Sequence, residues 1–185
     1  TGTNNTAVGL SALQNNTIAT DNSAFGYLSL ANNTTGIRNT AVGRSALLNN
    51  VIGSNNTAVG YQSLNSNTVS SLTAVGYRSL FSNTTGSNNS AFGIYSLRNN
   101  TTGSYNSSFG FYALNSNTVG TGNVAMGYYA INANTIGINN TAIGANALRS
   151  NTTGSNNTAV GLQALYTNTT GIQNIAMGTN ALYSN

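Results

Sequence analysis

Apolar and polar positions along this chain recur in register every 17 residues. A glycine anchors the pattern at Gly9, Gly26, Gly43, Gly60, Gly76, Gly93, Gly110, Gly127, Gly144, Gly161 and Gly178, with one interval of 16 between Gly60 and Gly76. A large apolar residue directly precedes each glycine: Val8, Phe25, Val42, Val59, Val75, Phe92, Phe109, Met126, Ile143, Val160 or Met177. Another stands four residues after it: Leu13, Leu30, Leu47, Leu64, Leu80, Leu97, Leu114, Ile131, Leu148, Leu165 or Leu182. These two columns are the predicted core. The positions two before and three after the glycine hold Ala or Ser throughout, which suits close packing.

The polar positions repeat as strictly. Asn stands seven residues after every glycine, at Asn16, Asn33, Asn50, Asn67, Asn83, Asn100, Asn117, Asn134, Asn151, Asn168 and Asn185. A second Asn lies four before the glycine in ten of eleven copies, with Leu72 the exception. Thr follows the fixed Asn except at Val51, then a β-branched residue, and a Gly usually closes the segment. The repeat reads N-T-A-V-G-x-x-A-L-x-x-N-T-T-G-x-x.

A helical solenoid needs two helices in about 33 residues or more per repeat. Seventeen residues with β-branched side chains near the turns fit strands instead. The pattern predicts an all-β parallel β-solenoid of eleven coils with two or three short strands each. Stacked at about 4.8 Å, the coils would form a rod on the order of 50 Å long, with every main-chain hydrogen bond running between coils. In that rod the fixed Asn suits a left-handed corner, and its amide can bond the copies above and below. The glycine marks a positive φ or a close backbone approach. The shortened copy loses its residue within Val69–Leu72, with Ser70 in place of the closing Gly, which points to an outward loop there.

The whole of 1–185 reads as one repetitive segment, and the lack of a polar cap at either end suggests part of a longer array. Few large apolar positions per coil make a thin core. Self-association is therefore expected, as a homotrimer held through the small-residue columns, and end to end as a filament.

Composition narrows the chemistry further. The chain has no Lys, Glu, His or Cys and one acid, Asp21. General acid–base pairs, activated nucleophiles and metal clusters cannot be assembled from such a set, so no enzyme and no cofactor are expected. Asp21 reads as a turn cap. The net charge of +4 comes from Arg38, Arg44, Arg78, Arg98 and Arg149, which occupy four different repeat positions. That scatter gives no basic stripe, and nucleic-acid binding is not expected. No stretch approaches the roughly 18 apolar residues of a membrane span.

The segment N-T-A-V-G-x-x-A-L, as at Asn56–Gly60 and Asn157–Gly161, resembles the head repeats of YadA-like trimeric autotransporter adhesins. The longer form with N-T-T-G is similar to tail-fibre-like surface repeat proteins. The resemblance covers all eleven copies and implies a left-handed parallel β-roll assembled as an intertwined trimer. The resulting expectation is a structural segment of an extracellular fibre or adhesin-like appendage on a cell or virion surface, serving as a rigid stalk or head. A cell-surface or glycan ligand would meet the aromatic columns that follow the glycine, such as Tyr27, Tyr61, Tyr77, Phe111 and Tyr128. The alternative is an ice-binding solenoid using the Thr ladder from Thr17 and Thr34 to Thr152 and Thr169, interrupted at Val51.

Overall fold

The computed structural model describes residues 2–185. Each repeat contributes one strand: β1 (Thr6–Val8), β2 (Ser23–Phe25), β3 (Thr40–Val42), β4 (Thr57–Val59), β5 (Thr73–Val75), β6 (Ser90–Phe92), β7 (Ser107–Phe109), β8 (Val124–Met126), β9 (Thr141–Ile143), β10 (Thr158–Val160) and β11 (Ile175–Met177). They form a single parallel sheet in sequence order. Each residue pairs with its equivalent one repeat on, Ala24 with Ala41 and Phe25 with Val42. The chain is an all-β parallel β-solenoid.

The expected second and third strands do not form, because the chain reverses too often. Ser29 N–H donates to Gly26 O at 3.2 Å, and Asn33 N–H to Leu30 O at 3.1 Å. These two turn bonds lie within one coil, so not every main-chain bond runs between coils. The rest of the circumference does stack by hydrogen bonds. Leu28 N–H reaches Leu10 O at 3.0 Å, Leu30 N–H reaches Ala46 O at 3.0 Å, and Arg38 N–H reaches Thr20 O at 3.1 Å. Register is thus fixed far beyond the three-residue strands.

The fixed Asn is not the left-handed corner. That conformation falls on the Leu four after the glycine, with φ from 45° at Ile131 to 51° at Leu97, on the residue two after it, such as Tyr95 at 57°, and on the residue five before it, such as Asn55 at 58°. Asn33 instead closes the turn that begins at Leu30. A left-handed Leu costs roughly 1–2 kcal/mol. Full burial of the same side chain contributes roughly 1.5–3 kcal/mol, so burial wins. Leu30 through Leu165 in this column are completely buried.

The second predicted core column, the residue before each glycine, does not lie in the core. Side chains alternate along a strand. In Thr-Ala-Val the central Ala therefore points inward, and the residue before the glycine shares the outward face with Thr. Val8, Phe25, Val42, Phe92, Phe109, Met126, Ile143 and Met177 are exposed, while Val59, Val75 and Val160 are half-buried. The interior consists of the Leu column, the inward Ala of each strand, the Ala or Ser three after the glycine, and buried Asn. Leu13 lies at the margin of this core, and Leu182, in the last coil, is exposed. Where Ser108 replaces the strand Ala, its hydroxyl accepts from Ser96 Oγ at 2.8 Å and donates to Ala113 O at 2.9 Å. The substitution leaves no orphaned group.

The shortened copy is also placed differently. Val69 O, and not Ser70 O, takes the role of the closing glycine carbonyl, accepting from Asn67 Nδ2 at 2.7 Å and Asn56 Nδ2 at 2.8 Å. The missing residue is thus the second of the Thr-Thr pair. Thr34 O accepts from both Thr17 N–H and Ile18 N–H, whereas Thr68 O accepts no such bonds from Val51 and Ile52. The ladder is interrupted at that level.

Candidate functional site

No concave pocket opens among the described residues. The chemistry of this molecule lies in columns, two inside and two outside.

The first inner column is the fixed Asn. Asn50 Nδ2 donates to Asn33 Oδ1 at 3.1 Å and to Gly53 O at 2.8 Å. The same pair of bonds recurs at Asn100, Asn117, Asn134 and Asn151, with amide-to-amide distances of 2.8, 2.8, 2.8 and 2.9 Å. At the last coil Asn185 Nδ2 lies 3.5 Å from Asn168 Oδ1. The second column is the Asn four before the glycine, to which sequence reasoning attached no role. Asn22 Nδ2 donates to Gly36 O at 2.9 Å, and Asn22 Oδ1 accepts from Asn39 N–H at 2.9 Å. Both columns converge on the closing glycine: Gly36 O also accepts from Asn33 Nδ2 at 2.9 Å. Its near-complete recurrence was the signal that could have found this second ladder. At Leu72 the ladder lapses, and Asn89 N–H lacks the oxygen its equivalents reach.

The repeat glycines are fixed by the stacking. A Cβ on Gly93, at φ +131°, would lie 2.5 Å from Gly110 O and 2.7 Å from Gly110 C. The Thr ladder is committed as well. Thr34 Oγ1 donates to Val51 O at 3.1 Å and Thr101 Oγ1 to Thr118 O at 3.0 Å, so these hydroxyl hydrogens point along the rod.

Outside, the residues before the glycines form one apolar column over the length of the sheet. Within it the Phe92 and Phe109 rings stack at 5.0 Å and 5°. Beyond the glycine the chain forms a second outer feature, an aromatic edge. Tyr61 stacks on Tyr77 at 5.3 Å and 13°, Phe111 on Tyr128 at 5.6 Å and 6°, and Tyr112 on Tyr129 at 5.1 Å and 2°. Four arginines from three repeat positions gather on it. Arg44 lies over Tyr27 at 5.5 Å, Arg78 over Phe81 at 5.2 Å, Arg98 over Tyr95 at 5.0 Å and Arg149 over Tyr129 at 5.0 Å. The apparent scatter of these arginines in sequence is a single edge in space. Arg38 lies apart, in the column of Asp21. Asp21 is exposed with φ 60°, and its carboxylate accepts from Asn4 Nδ2 and Thr20 Oγ1, each at 3.1 Å.

The chain matches no protein-family model, no curated protein and no solved structure.

Proposed function

We propose that this chain is a structural segment of an extracellular fibre or adhesin-like surface appendage, in which three copies pack side by side as a homotrimer. The Ala and Ser columns expected to hold the chains together are buried inside the coils, so that contact cannot be theirs, and the observation that carries the reading is the outward apolar column. Eleven side chains, none of them charged, run about 48 Å along a regular sheet face at the ~4.8 Å coil spacing. Exposed apolar patches of several hundred Å² mark contact surfaces on soluble proteins. Laying these columns against one another would bury what a single coil leaves in water.

The rest of the architecture supports a mechanical role. The buried Asn amides, the Thr-ladder hydroxyls and most main-chain groups bond coil to coil. That gives stiffness along the axis. The Thr hydroxyl bonds to the next coil favour the same reading over ice binding, because their hydrogens are directed along the ladder and away from solvent.

Sedimentation equilibrium and electron microscopy of the native protein test this reading. Three chains of 18.9 kDa give about 57 kDa in a rod. A Phe92→Lys, Val59→Lys double variant should keep its β spectrum and fall to 18.9 kDa. A wild-type monomer, or an unchanged assembly in the double variant, would sink the proposal. Measurable thermal hysteresis would revive the ice-binding alternative.

A further inference from the structure

The aromatic edge has a chemistry that the fibre reading does not use. We propose that it is a binding strip for a linear, uronate-bearing polysaccharide lying parallel to the rod axis. The trimer contact uses the residue before each glycine, whereas this strip uses those after it.

The charge argument comes first. Arg44, Arg78, Arg98 and Arg149 project from one edge, and the chain's single acid, Asp21, sits in another column. Guanidinium forks match carboxylates in a planar, two-point geometry. Much of that donor capacity is unspent. Arg78 Nε–H is taken by Gln62 Oε1 at 2.7 Å and Arg149 Nη1–H by the Tyr166 hydroxyl at 2.9 Å, which leaves the other guanidinium N–H groups of both residues free, and Arg44 is exposed. A strip with four cations and no anion is complementary to a polyanion.

Shape then selects the kind of polyanion. The edge is a ridge without a pocket, so a small ligand would find no enclosure. From Arg44 to Arg149 it extends six coils, about 29 Å at the coil spacing. That is the footprint of an extended polymer. The aromatic rings lie stacked on one another, as Tyr112 on Tyr129 at 2°, so their faces are occupied along the axis. Single-stranded nucleic acids gain most from stacking bases on free ring faces. Phenol hydroxyls can instead exchange hydrogen bonds with the hydroxyls of sugars, and the coil pitch is close to one sugar residue of an extended chain.

Titration calorimetry with an oligogalacturonate long enough to span the strip tests the proposal, with the same oligosaccharide methyl-esterified as the uncharged control. The acid form should bind, weaken with added salt, and lose affinity roughly tenfold in Arg78→Gln or Arg98→Gln, the scale of one lost charge-assisted contact. Arg38→Gln, on the other column, should leave binding unchanged. Arg44→Gln, at an exposed position, provides the same reading should Arg98→Gln disturb the fold by circular dichroism. No binding of the acid form would overturn the proposal, as would equal binding of the ester. Tighter binding of an oligothymidylate would reassign the strip to nucleic acid. Equal loss in Arg38→Gln would reduce it to diffuse attraction.

Discussion

Replacing repeat glycines by alanine separates two constraints that coincide in most coils. At Gly93 a Cβ faces both a φ of +131° and the Gly110 carbonyl at 2.5 Å. At Gly178 the φ is +117° but nothing lies within 4 Å. At Gly86 no positive φ applies, yet the Cβ would collide with the carbonyl oxygen of Gly103. The strained dihedral costs about 1–3 kcal/mol. Relieving the collision means lifting one coil from the next, which weakens bonds such as Gly110 N–H to Phe92 O at 2.8 Å and Tyr112 N–H to Ile94 O at 3.0 Å. Each is worth about 1 kcal/mol net. Against both stands a gain of about 0.4–1 kcal/mol from the less flexible unfolded chain. Gly93→Ala should therefore destabilise by about 3–4 kcal/mol, Gly86→Ala by about 1–2, and Gly178→Ala by about 1. Urea denaturation followed by far-ultraviolet circular dichroism reads all three, and shared m values would license the comparison. A neutral Gly86→Ala would refute the claim that coil contact, and not backbone angle alone, demands glycine.

The two core columns differ in the same assay. Leu97→Ala removes a completely buried side chain and should cost about 2–5 kcal/mol. Phe92→Ala, on the outward column and 36% exposed, should cost about 1–2 kcal/mol in the dissociated chain, from partial burial and the lost stack on Phe109; a loss as large as that of Leu97→Ala would return Phe92 to the core. Asn100→Ala should cost about 3 kcal/mol, because it strands Asn83 Oδ1 and halves the bonding of Gly103 O and Asn117 Nδ2. Thr85→Ala, on the exposed surface beside the ladder, should change stability by less than about 0.5 kcal/mol.

What was legible in the chain was whatever depends on the period. Seventeen residues per copy are too few for paired helices, and identical residues at identical positions force in-register stacking, so the parallel solenoid follows from arithmetic. Which side of the strand faces inward did not follow. A thin coil has room for one large side chain per turn of the chain. In Thr-Ala-Val the alternation of the strand gives that choice to Ala, because the Leu on the opposite wall already fills the space. Hydrophobicity alone ranks Val and Phe above Ala and so selects the wrong column. The corner does not follow from the sequence for a related reason. Asn tolerates left-handed backbone better than Leu as an isolated residue, but here burial of Leu outweighs that preference, while the Asn amide is needed inside to bond the next coil. Arginine placement shows the opposite limit. Arg44, Arg78 and Arg98 sit one, two and five residues after their glycines, and a linear column count treats these as unrelated. Because Leu and its neighbours turn the chain back within four residues, all three positions emerge at one edge, where each cation meets a ring within 6 Å. Side chains that appear scattered along a repeat therefore become neighbours wherever the coil turns, and at the Leu four after the glycine this coil turns on a residue to which propensity would not assign left-handed backbone.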